Sequence, residues 1–279
     1  MTKTLIITGF GINCEEEMAA AYRLAGATPT IVHLNELLHE KVSIHDYDLL
    51  NFVGGFSFGD DIASGKVMAN KIRFKKLPSQ KTLLAEIHEF IKNGKYILGV
   101  CNGFQILVKM GLLPNLNQNF EQEVSLIKND SQKFENRWVY CKANSESKTP
   151  FLKNIEILPL PVRHGEGKLV IKDETTTQAI QAAQLNCLSY CNEKGELVMT
   201  YPENPNGSAL ACAGLCDTTG QIFGLMPHPE AFLSLYNHPN WGKIKRQNPN
   251  ISEEGAGLKI FRNIVTHIQE QKEQQPQNI

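Results

Sequence analysis

Two glycines flank a cysteine in Gly99-Val-Cys-Asn-Gly103, between the apolar run Lys95-Tyr-Ile-Leu-Gly-Val100 and the amphipathic run Phe104-Gln-Ile-Leu-Val-Lys-Met110. The pattern G-x-C-x-G is the thiol counterpart of G-x-S-x-G, which marks a strand turning sharply into a helix with its nucleophile at the bend. Glycines two residues to either side permit a turn too tight for most side chains. The turn predicts the Cys101 sulfur at the first turn of a helix, where unpaired N–H groups and the helix dipole favour thiolate. Cys101 could also be an inert buried cysteine in a plain βα turn, but the five residues together favour a nucleophile.

A base and its orienting partner stand near the other end of the chain. Gln221-Ile-Phe-Gly-Leu-Met226 reads as a strand and runs into Pro227-His228-Pro229-Glu230. The two prolines keep His228 out of any helix. In an extended segment His228 and Glu230 project to the same side, so the carboxylate can fix the imidazole tautomer. The imidazole could then take the thiol proton and return it to a leaving amine. Alone, His-Pro-Glu reads better as a surface loop; at the end of an apolar strand and paired with Cys101, it reads as a triad. A third strand, Asp46-Tyr-Asp-Leu-Leu-Asn-Phe-Val53, ends in Gly54-Gly55. Backbone N–H groups approach a substrate freely there, and those of Gly55 and Asn102 could form an oxyanion hole.

Cys101, His228 and Glu230 in that order, behind a Gly-Gly strand end, resemble the class I (triad) glutamine amidotransferases. Longer runs sharpen the likeness: Gly54-Gly-Phe-Ser-Phe-Gly-Asp60, Gly99-Val-Cys-Asn-Gly-Phe-Gln-Ile-Leu107, Arg163-His-Gly-Glu-Gly167, Asn204-Pro-Asn-Gly-Ser208 and Gly224-Leu-Met-Pro-His-Pro-Glu230. With Gly11-Ile-Asn-Cys14, they are similar to the branch serving phosphoribosylformylglycinamidine synthesis in the purine pathway. The resemblance implies that Cys101 attacks the glutamine carboxamide to give a γ-glutamyl thioester and ammonia. His228 would be base and acid, Glu230 its orienter, and Gly55 and Asn102 the oxyanion donors. Gln105 would help hold glutamine, with His164 and Gly165 lining the same pocket beside Glu166. It also implies a separate synthetase subunit that receives the ammonia and uses ATP and magnesium, with a further small subunit as an additional partner. No cofactor or metal is expected in this chain. Asp61, Arg163 and Ala231 depart from the family's usual residues, and none belongs to the triad.

The wider chain reads as an α/β protein. Strands are predicted over 4–8, 30–34 and 48–53, and helices over 15–24, 36–40 and 83–93, ahead of the Cys101 strand and helix. That alternation predicts a mostly parallel sheet flanked by helices, with sites at the carboxyl ends of its strands. Strand-like runs over 138–142, 156–162, 168–171, 197–201 and 209–215 predict an antiparallel extension of the same domain. A polar loop over 237–256, an amphipathic helix over 258–268 and a disordered tail over 269–279 complete a single domain spanning 1–268.

Composition narrows the setting. At 279 residues, 42% apolar and 20% charged, the chain can bury one large core. A net charge of −1 gives no general attraction to nucleic acid or anionic membrane. The seven cysteines, without a signal-like start, predict free thiols in a reducing cytoplasm. Gly9-Phe-Gly-Ile-Asn-Cys14 lacks the third glycine of a dinucleotide fingerprint. Cys14 precedes a helix but has no flanking glycines and no evident base, so it reads as an ordinary thiol. The pairs Cys187/Cys191 and Cys212/Cys216 have spacings at the edge of zinc sites and lie in strand-like sequence, which disfavours metal. His164 and Glu166 fit a substrate-facing turn better than a metal site. Lys66, Lys71, Arg73, Lys75 and Lys76 read as a solvated basic face. A cysteine peptidase of similar build would share the elbow but would not need Gln105 or the long 54–60 run.

Overall fold

A computed structural model describes residues 1–274. The order of elements is β1 (Lys3–Thr8), α1 (Glu15–Leu24), β2 (Thr28–His33), α2 (Leu34–Leu38), β3 (Leu49–Phe52), α3 (Lys66–Phe74), α4 (Leu83–Lys92), β4 (Tyr96–Val100) and α5 (Asn102–Lys109). Then come β5 (Val124–Lys128), β6 (Glu135–Ala143), β7 (Ile157–His164), β8 (Glu166–Ile171), α6 (Glu174–Ala182), β9 (Asn186–Cys191), β10 (Cys212–Cys216), β11 (Ile222–Leu225), α7 (Trp241–Gln247) and α8 (Leu258–Gln274). Nine strands form one sheet in the order β2-β1-β3-β4-β11-β10-β9-β6-β7, while β5 and β8 pair separately. From β2 to β11 every neighbour is parallel; from β11 to β7 every neighbour is antiparallel. The mostly parallel sheet and its antiparallel extension are therefore both present.

The parallel half has the composition its burial requires. All residues of β3, β4 and β11 are buried, and their sequences LLNF, YILGV and IFGL are nearly continuous apolar runs. Register then does the work of site assembly. Phe52 lies opposite Gly99, and Gly99 opposite Gly224, so three adjacent strands end level with one another. With strands about 4.8 Å apart, the three segments that follow must meet. They carry Gly54-Gly55, Cys101 and His228.

The glycines beside Cys101 act through clearance. A Cβ on Gly103 would sit 1.8 Å from the Phe52 carbonyl oxygen, and one on Gly99 would sit 2.5 Å from Leu107 Cδ1. Helix α5 thus lies against β3 and β4 with no room for a side chain at either position. The left-handed residue of the turn is Cys101 itself, at φ 53° and ψ −106°.

Several expected elements differ. The basic stretch after Gly65 is helix α3, whose Met68, Ala69 and Ile72 are buried while Lys66, Lys71 and Arg73 are half-buried, Arg73 donating to the Lys109 carbonyl (3.0 Å). It was hidden because its N-cap is a left-handed glycine with no capping side chain. Residues 197–201 form no strand: Leu197 makes one isolated bridge to Cys191, and Leu197, Met199 and Tyr201 stay exposed. Their alternation has no partner strand to pair with. Strand β10 starts at Cys212, after a short 3-10 turn over Ala209–Ala211. Within the expected loop over 237–256 lies α7, which buries none of its residues. Helix α8 continues to Gln274, six residues past the predicted end at Ile268, with no glycine or proline to stop it; residues 275–279 of the expected tail lie outside the described residues. No described helix is long and apolar enough to cross a membrane.

Candidate active site

Cys101 ends β4 in a backbone conformation that a non-glycine residue holds only under constraint. Its N–H donates to the Leu225 carbonyl of β11 (2.8 Å), and its carbonyl accepts from the Gln105 N–H (3.1 Å) as α5 begins. The bend is thus fixed from both sides. The thiol, 5% exposed, points to the Arg163 carbonyl at 3.5 Å. Phe104 fills the space over Gly224, where a Cβ would meet its ring at 2.3 Å.

His228 follows β11 and is held by its own backbone, its N–H donating to the Pro161 carbonyl of β7 (2.8 Å). Its Nδ1 lies 2.5 Å from Glu230 Oε1, and both side chains are almost wholly buried. Burial opposes the charged imidazole, but the Glu230 carboxylate and then the Cys101 sulfur outweigh it, raising the His228 pKa well above the usual value. The carboxylate thus favours the charged form of His228, and its Nε2 has no hydrogen-bond partner among the described residues. Gly54 makes this placement possible: a Cβ there would lie 2.8 Å from His228 Cε1 and 3.1 Å from Cys14 Sγ.

The expected oxyanion donors are available. Phe56 N–H donates to the Gly11 carbonyl (2.7 Å) and Asn13 N–H to the Gly54 carbonyl (3.3 Å), framing an isolated antiparallel bridge between Ile12 and Gly55. In such a pair the enclosed residue directs its own N–H to the opposite side. The Gly55 N–H makes no hydrogen bond among the described residues, and the Asn102 N–H is at the first position of α5, which has no intrahelical acceptor.

Gln105 is tied into the protein at both ends of its side chain. Its Oε1 accepts from Asn102 Nδ2 (2.9 Å) and its Nε2 donates to the Glu166 carbonyl (2.5 Å), leaving the amide engaged at both ends and 3% exposed. Asn102 Nδ2 also reaches Asp60 Oδ1 (3.2 Å), its Oδ1 accepts from Ser57 N–H (3.3 Å), and Glu166 Oε2 accepts from Ser64 N–H (3.1 Å). One network thus fastens the segment after Gly55, helix α5 and the β7–β8 turn together. Burial, with the Glu166 carboxylate adding repulsion, raises the Asp60 pKa. In that same segment Phe58, Gly59, Asp60 and Ile62 all have positive φ.

His164 and Gly165 form the β7–β8 turn, organised by a residue the sequence reading did not single out. Asn129, fully buried, donates from Nδ2 to the His164 (2.8 Å) and Lys133 (3.0 Å) carbonyls. Its Oδ1 meets Gly167 N–H (3.0 Å) and His164 Nδ1 (3.2 Å), and its N–H donates to the Gly165 carbonyl (3.0 Å). Burial, then the charge of His228, lowers the His164 pKa to about 3, so this imidazole is neutral. The 204–208 motif braces the same turn: Ser208 Oγ accepts from Leu169 N–H (2.9 Å) and donates to the Gly167 carbonyl (3.2 Å). Its polar residues face inward, which the motif's Asn and Ser content hinted at and only the pairing reveals. Cys14 was also misjudged as lacking a base: its sulfur lies beside His228 and Glu230.

The chain as a whole is similar to known proteins. Residues 1–268 match the model of the CobB/CobQ-like glutamine amidotransferase domain. The chain is 40% identical to the phosphoribosylformylglycinamidine synthase subunit PurQ of Methanococcus maripaludis, covering 95% of this chain and 97% of that one. The same-named subunit of Dehalococcoides mccartyi is 41% identical, with 94% and 96% covered. A structure of PurLQS from Thermotoga maritima superposes with a TM-score of 0.68 at 27% identity, covering 96% of this chain and 99% of that one.

Proposed function

Since this chain belongs to the CobB/CobQ-like glutamine amidotransferase family, we propose that Cys101, His228 and Glu230 are the groups that perform its chemistry. The chain is an enzyme, the glutaminase subunit of a phosphoribosylformylglycinamidine synthase. Cys101 Sγ passes its proton to His228 and attacks the glutamine carboxamide carbon, and the oxygen gains charge facing the N–H groups of Gly55 and Asn102. His228 gives its proton to the departing nitrogen, releasing ammonia and leaving a γ-glutamyl thioester. It then takes a proton from the water that hydrolyses the thioester. Glu230 keeps the imidazole charged and oriented. His164 and Gly165 form the wall of the glutamine pocket. Gln105 acts on glutamine through the segment it fastens, a reading supported by both ends of its amide being engaged.

The observation that carries this reading is the strained Cys101 bend, with a buried His228–Glu230 pair beyond the end of the adjacent strand. Ammonia passes to a separate synthetase subunit in the cytoplasm, assembled with a further small subunit. That synthetase uses ATP and magnesium; this chain needs no cofactor of its own. The low exposure of all three triad residues supports a slow enzyme when alone, opened by its partner. Exposed Phe10, Phe56 and Ile62 lie at or beside the segment that follows Gly55 and suit such a contact.

Ammonia release from glutamine, measured with and without a synthetase subunit carrying its nucleotide and substrate, tests the reading. Turnover should rise by about two orders of magnitude on docking, the effect of bringing one oxyanion donor into place. A fast rate unchanged by any partner would identify a stand-alone glutaminase.

A further inference from the structure

One cluster of donor atoms joins Cys14, which the reaction just described does not use, to two residues that it does use. Cys14 Sγ, an imidazole nitrogen of His228 and a carboxylate oxygen of Glu230 all lie within 4.8 Å of one another. Cys14 is brought there by the Gly54 carbonyl, which holds Asn13 N–H at the start of α1, and by the missing Cβ of Gly54. His228 Nε2 and Glu230 Oε2 have no hydrogen-bond partner among the described residues, and both side chains are more than nine-tenths buried. The other such cluster, His45 with Glu86 and Glu89, is more open, and Lys81 already pairs with both of its carboxylates.

We infer that Cys14, His228 and Glu230 form an inhibitory binding site for a thiophilic divalent cation, zinc above all. Ligands at zinc bond lengths stand about 3.3–3.8 Å apart around a tetrahedral ion, so atoms within 4.8 Å of one another need to close by about 1.5 Å at most. A thiolate, an imidazole and a carboxylate suit zinc; magnesium, which takes oxygen ligands, is excluded by the sulfur and nitrogen donors. Water completes the fourth position. Binding removes the acidic protons of Cys14 and His228 and gives them to solvent. An imidazole committed to metal cannot relay the amide proton, so the cation stops the glutaminase reaction proposed above. The inhibition therefore rests on that reading, but the binding does not.

Zinc titration of the reduced, metal-free full chain, followed by calorimetry, tests the site without glutamine. Cobalt(II) serves as a spectroscopic probe of sulfur ligation. The wild-type chain should bind zinc saturably, and cobalt should show a thiolate charge-transfer band. Cys14→Ser should weaken zinc at least about tenfold and remove that band, and Glu230→Gln should weaken zinc with the band retained. Each variant is checked for folding by circular dichroism, and the Glu230 variant decides the matter should Cys14→Ser unfold. Zinc should also slow alkylation of Cys101 by a glutamine analogue in the wild-type chain far more than in Cys14→Ser. No saturable wild-type binding, or equal zinc affinity in the variants, would overturn the site. Tight binding without any glutaminase activity would instead count against the proposed reaction and leave the site standing.

Discussion

The parallel and antiparallel halves of the sheet contribute different things. In the parallel half, β3, β4 and β11 stop level with one another, and the proposed reacting groups follow directly from their ends. The antiparallel half offers fewer reacting side chains and more fixed acceptors: the Pro161 carbonyl for His228 N–H and the Arg163 carbonyl for the Cys101 thiol. Its turn at His164-Gly165 is held by a polar web centred on Asn129. Chemistry sits on one half and posture on the other, so damage to each should look different.

Cys101→Ser strikes the reacting half hardest. Glutamine-dependent turnover should fall below about one ten-thousandth of wild type. Synthesis driven by added ammonium should survive in the assembled enzyme, because the synthetase does not depend on the sulfur. Substantial remaining glutaminase would show that the elbow is only a turn.

Glu230→Gln separates charge from position. His228→Ala should be nearly dead, and the Glu230 variant should lose about ten- to a hundredfold less. Its pH profile carries the sharper message. The raised His228 pKa contributes stability that is fully present below the ordinary imidazole value of about 6.5 and is lost as pH rises through the higher folded value. Removing the carboxylate takes away the largest cause of the raised value, so the pKa falls. The alkaline fall in Cys101 alkylation rate should therefore move down by about one pH unit or more. An unmoved limb would mean that Glu230 does not set the charge of His228.

Asn129→Ala should break the other half. It strands the His164 and Lys133 carbonyls, the Gly167 N–H and His164 Nδ1, costing about 2–4 kcal/mol in denaturant unfolding. Glutaminase activity should fall mainly through a higher KM, since the triad itself remains. A large fall in kcat at unchanged KM would blur the division between the halves.

Met199→Ser should do least. Residues 197–201 looked like a strand but stay exposed, so the change should stay within about 0.5 kcal/mol. A larger loss would reveal packing that these side chains do not show.

What the sequence determined by itself lies in short windows. The elbow around Cys101 and the Gly54-Gly55 strand end are local patterns whose geometry follows from backbone sterics; His228 and Glu230 were legible as a pair, but they meet through a 3-10 turn over Pro229–Ala231 and not through the expected extended segment. Helix α1 was readable to the residue because an acidic first turn and Gly26 bound it. Tertiary structure decided everything that depended on partners distant in sequence. It sets Cys14 beside His228 across 214 positions and commits both ends of Gln105 to other residues. It denies 197–201 a strand to pair with and gives Gly99 and Gly103 their purpose in the clearance beneath α5. The physical reason is that backbone preference is a property of a few consecutive residues. Packing clearance and the pairing of buried polar atoms depend on which segments the sheet register places side by side.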